Sequence, residues 1–107
     1  MPDFLNILKQ AQEMQGKFQK IQEELQAKTV TGTSGGGMVV AEVSGTGQVK
    51  KVKIDPSVVN PADIEMLEDL VTVAVADAQT KAQAAAQEEM GKLTGGLNLP
   101  FKLPGFG

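Results

Sequence analysis

The chain begins with a long stretch in which apolar residues recur at alternating steps of three and four. This spacing predicts a first helix over residues 4–28, and the preceding Asp3 is suited to cap its N-terminus. The pattern is a heptad repeat held for about three repeats, which is typical of helices that pack against another helix. We expect this heptad stripe to form a homodimer interface, and it consists of Phe4, Ile7, Ala11, Met14, Phe18, Ile21 and Leu25.

Three β-prone stretches follow the first helix, because Val and Thr become frequent where the heptad pattern stops. They span residues 28–34, 38–44 and 48–54. The last two predict an antiparallel hairpin around a Gly-Thr-Gly turn. The inward-facing pairs in this register are Ala41 with Val52 and Val39 with Ile54. On the outer face, Glu42 is expected opposite Lys51, and Lys53 also points away from the core.

A second long helix is predicted after Asn60-Pro61, a pair typical of an N-cap followed by proline at the first helical position. Its apolar residues continue at helical spacing to about Lys92 and change from large side chains to alanines. We expect the first half to bury a core, and the alanine-rich second half to project or to pack closely against another helix. The apolar stripe consists of Ile64, Leu67, Leu70, Val71, Ala74, Ala78, Ala82 and Ala85.

The glycine-rich stretch TGTSGGG at residues 31–37 has the composition of a phosphate-binding loop. Such a loop aims its backbone amides at the anion from the start of a helix, and a lysine follows closely in the P-loop. Here the glycines precede the strand-like MVVAEV, and the next lysine is Lys50. The pattern therefore favours a flexible connection between two antiparallel strands over a nucleotide site.

The composition excludes several kinds of active site, because the chain contains no Cys, His, Trp or Tyr. Thiol chemistry, zinc sites built on Cys or His and Ser-His-Asp triads are ruled out within one chain. The N-terminus has neither the basic nor the apolar region of a signal peptide, and no apolar run is long enough to span a bilayer. We expect a cytoplasmic protein that is not an enzyme and has no metal, cofactor, small-molecule substrate or membrane partner.

The charge is unevenly distributed along the chain, although the net charge is only -3. Residues 1–54 hold seven Lys against five acids, whereas residues 55–107 hold three Lys against eight acids. All ten basic residues are Lys, so Arg is absent. Charge alone therefore predicts weak binding to nucleic acid, since that affinity comes largely from neutralised phosphates.

The predicted helices are too long for a compact monomer of this size. At 1.5 Å per residue they would extend about 36 Å and about 45 Å, whereas a compact chain of about 100 residues has a radius of gyration of about 13 Å. We therefore expect an α+β homodimer with protruding helical arms around a small antiparallel sheet. A single domain would span residues 1–95, followed by a flexible apolar tail at residues 96–107 that is punctuated by Gly and Pro.

Three segments carry a resemblance to a known family: TGTSGGGMVVAEVSGTGQVKKVKIDPSVV, DIEMLEDLV and EEMGKLTGGL. Together with the order helix, three strands, helix, they resemble the YbaB/EbfC family of bacterial nucleoid-associated proteins over roughly residues 4–97. The resemblance implies a tweezers-shaped homodimer that binds double-stranded DNA, alters its conformation and contributes to nucleoid organisation and gene regulation. The lack of Arg favours backbone contacts with little sequence preference.

The candidate DNA-contacting residues follow from charge and from the predicted position of each lysine. They are Lys9, Lys17 and Lys20 on the first helix, Lys51 and Lys53 on the outer sheet face, and Lys92 near the end of the second helix. The alternative function is a protein–protein interaction or scaffold module that uses the heptad stripe and the apolar tail. Salt dependence of DNA binding would distinguish the two, since scaffold contacts do not depend on phosphates.

Overall fold

The order of elements is helix, three strands, helix, as the sequence predicts. A computed structural model of the protein describes residues 3–95, so the predicted tail at 96–107 lies outside the described residues. The elements are α1 (Phe4–Ala27), β1 (Thr29–Ser34), β2 (Val39–Ser44), β3 (Val49–Ile54) and α2 (Ile64–Gly95), with single 3-10 turns at Gly35–Gly37 and Pro56–Val58. Asp3 caps α1, because its side chain accepts a hydrogen bond from the Asn6 backbone N–H.

The three strands form one antiparallel sheet in the order β1-β2-β3. The predicted hairpin register is confirmed, since Ala41 pairs with Val52, Val39 with Ile54 and Glu42 with Lys51. Beyond Glu42 the register shifts, so that Val43 pairs with Val49 and Lys50 is the extra residue of a β-bulge. The Glu42 carboxylate lies 3.8 Å from the Nζ of Lys53, diagonally across the hairpin, and this is its ion pair.

The core lies between the inner face of β2 and the middle of α2. Val39, Ala41 and Val43 are fully buried, and so are the three α2 alanines at positions 74, 78 and 82. The expectation that the large residues of the first half of α2 bury the core was therefore wrong in part. Ile64 is about half exposed, whereas Leu70, Val71 and Val75 are partly buried and pack against this core.

Gly32 on β1 explains why the alanines, and not the larger residues, are buried. A Cβ at this position would overlap the backbone nitrogen and Cα of Ala78. The absence of a side chain on β1 and the small side chains on α2 together allow the helix backbone to lie against the strand. Gly32 therefore provides close helix–sheet packing.

The predicted start of α2 at Asn60-Pro61 was wrong by three residues. Asp63 is the residue that caps the helix, since its Oδ1 accepts a hydrogen bond of 3.2 Å from the Met66 backbone N–H. The Asn60 Oδ1 instead accepts a bond of 3.0 Å from the Ala62 N–H, which closes a separate turn before the helix. Two potential capping residues, Asn60 and Asp63, lie three positions apart, and the helix begins after the second.

Most of α1 extends away from the sheet, and its C-terminal end is where it joins the body. Leu25 is buried there, and its carbonyl accepts a hydrogen bond of 2.7 Å from the Gly45 backbone N–H. The described chain measures 74 × 28 × 17 Å, with a radius of gyration of 19.8 Å. A compact domain of this length would have a radius of about 13 Å, so the helices protrude as predicted.

A lysine-lined cleft as candidate functional site

The two helices enclose a cleft where the second half of α2 runs beside α1. Its volume is about 400 Å³. It is lined by Lys17, Lys20, Ile21 and Glu24 from α1 and by Glu89, Lys92 and Leu93 from α2. Three of the six lysines predicted to contact DNA are thus brought together in one site, although Lys92 lies more than 70 positions from Lys17 and Lys20 in the sequence.

Helical periodicity explains why these side chains share the cleft. Residues three and four positions apart lie on the same face of a helix, which is the spacing of Lys17, Lys20 and Glu24 on α1. Glu89 and Lys92 have the same relation on α2. The contact between Leu25 and Gly45 anchors the end of α1, so that this face of α1 is directed towards α2.

Two carboxylates lie among the cleft lysines. The Nζ of Lys92 is 3.5 Å from Oε1 of Glu89; the Lys92 side chain is largely open to solvent and the Glu89 side chain is partly so. Glu24 and Glu89 also line a smaller adjoining cavity of about 190 Å³, together with Lys28. The cleft therefore has only a small excess of positive charge. An exposed ion pair of this kind is weak enough for Lys92 to leave Glu89 and bind another anion.

The sheet carries a second group of lysines on its outer face. Lys51 and Lys53 are exposed there, with Lys53 close to Glu42. Lys50, which is not among the six candidate lysines, donates hydrogen bonds to the Lys28 carbonyl at 3.3 Å and to Oγ1 of Thr29 at 3.2 Å. The β-bulge sets the position of Lys50. The alternation of apolar and polar residues along the strand does not predict this bulge.

Lys9 is exposed on α1 but does not line the cleft. It lies eight residues before Lys17, which is about 12 Å along a helix. The structure therefore separates the predicted lysines into three places. These are the cleft with Lys17, Lys20 and Lys92, the outer sheet face with Lys51 and Lys53, and the outer part of α1 with Lys9.

The heptad stripe is exposed over most of its length. Phe4, Ile7 and Phe18 have 68%, 55% and 45% of their surface accessible. Ile21 is half-buried, and Leu25 is buried against the β2–β3 turn of its own chain. Large apolar side chains on a projecting helix are typical of a surface that a partner covers.

The glycines at Gly35–Gly37 connect β1 to β2, as the sequence favours. All three have positive φ, from 60° to 94°, and only Met38 separates them from β2. Over the described part of the chain, no group of three or more acidic, His or Cys residues is placed to hold a metal ion. Between Asp3 and Gly95, no helix combines the length and the apolar character that crossing a bilayer requires.

Comparison with known proteins shows similarity along nearly the whole chain. The YbaB/EbfC DNA-binding family matches residues 1–97. A nucleoid-associated protein of Gemmatimonas aurantiaca is 55% identical over 102 residues, covering 95% of this chain and 98% of its own. A nucleoid-associated protein of Paramagnetospirillum magneticum is 53% identical over 106 residues, covering 97% and 99%.

Among solved structures, an uncharacterized protein from Helicobacter pylori has a similar fold. Its TM-score is 0.62 at 23% sequence identity, covering 91% of this chain and 98% of that one. At this identity the similarity shows the fold, which is the helix, three-stranded sheet and long helix described above.

Proposed function

This chain belongs to the YbaB/EbfC DNA-binding family, and we propose that it is a nucleoid-associated protein that binds duplex DNA as a homodimer. In this proposal it has little sequence preference, alters the conformation of the DNA and contributes to nucleoid organisation and gene regulation in the cytoplasm. The observation that carries the proposal is the convergence of Lys17, Lys20 and Lys92 on one cleft between two protruding helices.

Contact with the DNA backbone is the chemistry that these side chains offer. A lysine ammonium is a compact point charge that binds a phosphate oxygen, whereas bidentate reading of guanine is done best by the planar fork of Arg. The sequence has ten lysines and no Arg. Phosphate contacts position a protein on the duplex without reading its sequence, so we expect similar affinity for unrelated duplexes.

A homodimer would give the DNA two such clefts instead of one. The exposed apolar stripe on α1, with Phe4, Ile7 and Phe18 accessible, supports an interface between copies. Formation of the homodimer would double the number of lysines that contact one duplex, and this would offset the small excess of positive charge in each cleft. The affinity then arises from release of the counterions that those phosphates hold. No step in this role requires catalysis.

The test is a mobility-shift titration with several unrelated duplexes at a series of salt concentrations. Changing Lys17, Lys20 or Lys92 to Ala should weaken binding equally on all sequences and flatten the log–log salt slope by up to about 0.9 per lost contact, with the smallest change for Lys92, which is paired with Glu89. Lys81→Ala is the matched control, because Lys81 lies on α2 outside the cleft and pairs with Asp77 at 3.1 Å.

Salt-independent binding, or no binding at micromolar protein, would contradict the proposal and favour a scaffold role instead. The outer sheet face needs a separate variant. A Lys51→Ala/Lys53→Ala protein whose salt slope equals that of the wild type would remove the sheet from the DNA footprint, whereas a slope flatter by about 1–2 would include it.

A further inference from the structure

Glu24 and Glu89 are the two carboxylates that line the cleft. They line both the larger cavity of about 400 Å³ and the adjoining cavity of about 190 Å³, one from each side of the gap between α1 and α2. Four lysines surround these two carboxylates: Lys17, Lys20, Lys28 and Lys92. A phosphate that enters the cleft to reach the lysines must therefore approach two groups of its own charge.

Glu23 and Glu88 provide a contrast within the same helices. Each precedes a cleft glutamate by one residue and is exposed, but neither lines the two cavities. Consecutive helical residues point about 100° apart, so these neighbours have the same charge on a different face. Effects of position and of net charge can thus be separated with substitutions at adjacent residues.

We propose that Glu24 and Glu89 are built-in competitors of the DNA phosphates, which limit the affinity of the cleft and keep the complex exchangeable. This inference rests on the proposed function. Glu89 holds Lys92 at 3.5 Å in the free protein, so the lysine must leave one carboxylate before it contacts a phosphate. Glu24 lines the same two cavities from α1, so its charge adds repulsion from the opposite wall.

The competition has a signature in the salt dependence of binding. A lysine paired with a carboxylate of its own chain is partly neutralised before DNA arrives, so its contact with a phosphate releases less counterion than that of an unpaired lysine. The wild-type slope should therefore be shallower than the number of cleft lysines implies. Removing the carboxylate charge should make the slope steeper as well as the binding tighter.

The experiment compares Glu24→Gln, Glu89→Gln and the double variant of the full-length protein with the matched controls Glu23→Gln and Glu88→Gln. Binding to a nonspecific duplex is measured by fluorescence anisotropy between about 50 mM and 200 mM salt, the range over which phosphate contacts change affinity most visibly. Each cleft variant should bind about threefold tighter at the lowest salt, as expected for an exposed ion pair. The double variant should bind about tenfold tighter, and the controls should change by less than about 1.5-fold.

A further variant shows whether Glu89 acts through Lys92. In a Lys92→Ala background, Glu89→Gln should lose most of its gain in DNA affinity, because the lysine for which Glu89 and the phosphate compete is absent. Thermal melts of every variant establish that the proteins compared are folded. A steeper slope for Glu89→Gln than for Glu88→Gln would support the inference directly.

Equal gains for the cleft variants and the controls would overturn the inference, since net charge alone would then explain them. Unchanged or weaker binding by the cleft variants would also overturn it. In both cases a wild-type protein that still binds DNA leaves the proposed function standing. If neither the wild type nor any variant binds at micromolar concentrations, the proposed function fails and this inference fails with it.

Discussion

Gly32 on β1 and Ala78 on α2 meet backbone to backbone. A Cβ on Gly32 would overlap the Ala78 nitrogen and would lie 2.5 Å from the Ala74 carbonyl oxygen. Ala74 and Ala78 are fully buried at this contact. The closest approach of helix and sheet is therefore made by residues with the smallest side chains, and this contact holds in place the helix that forms one wall of the cleft.

Gly32→Ala should destabilise the protein strongly. Alanine normally stabilises a strand relative to glycine, but here the added methyl group meets backbone atoms that cannot rotate away. Overpacking of this kind costs about 1–3 kcal/mol, and we expect a value near 3. Urea unfolding at a fixed protein concentration measures the change in the free energy of unfolding. A variant as stable as the wild type would show that α2 can move away from β1 without a decrease in the free energy of unfolding.

Gly16→Ala should instead stabilise the protein. Gly16 lies inside α1, and a Cβ there would meet no atom within 4 Å. The substitution should increase the free energy of unfolding by about 1 kcal/mol, because glycine is a poor helix former. The same urea titration tests this, with the mass by light scattering as a second readout. If the wild type has the mass of the proposed dimer and this variant does not, Gly16 lies where the backbone of a second copy approaches.

Phe18→Asp should dissociate the proposed homodimer. Phe18 belongs to the heptad stripe and is 45% exposed in the single chain, so a charge there would be buried without a partner between two copies. Leu5→Asp is the control, since Leu5 is 77% exposed on α1 but lies outside the stripe. Light scattering should give the mass of one chain for Phe18→Asp and of two chains for Leu5→Asp. A wild-type protein with the mass of a single chain would refute the dimer itself.

Asp77→Asn should reduce the loss of stability in acid. The Thr33 backbone N–H donates a 3.0 Å bond to the Asp77 Oδ2, and this bond, followed by the nearby Lys81 ammonium, lowers the pKa of Asp77 from its usual value of 3.8. A carboxyl group whose pKa is lower in the folded state stabilises the protein above the unfolded-state pKa, and the stabilisation is lost as the pH falls through the folded-state pKa.

Urea unfolding of wild type and Asp77→Asn between about pH 7 and pH 3 tests this sign, because the range brackets ordinary carboxyl titration. The wild type should be the more stable protein at neutral pH, and the difference should shrink below about pH 4. A difference that stays constant over the whole range would mean that the Asp77 charge does not contribute.

The hairpin and the start of α2 show how much of the fold local sequence patterns can predict. The pairing of Glu42 with Lys51 was predictable because strand alternation and the turn together restrict the register. The bulge at Lys50 was not, since an extra strand residue leaves no mark in the alternation. The start of α2 was misplaced because Asn60 and Asp63 are both good caps, and only the packed chain selects between them.

The order of the elements, the heptad stripe of α1 and the register of the hairpin follow from local sequence patterns, because each depends on residues close together in the chain. The burial of alanines on the helical side of the core does not, since it depends on how closely α2 passes over Gly32. Three-dimensional packing also brings particular lysines together. Lys17 and Lys92 share a cleft because α2 extends past the sheet to run beside α1, and that path is set by packing between distant residues, which no local periodicity records.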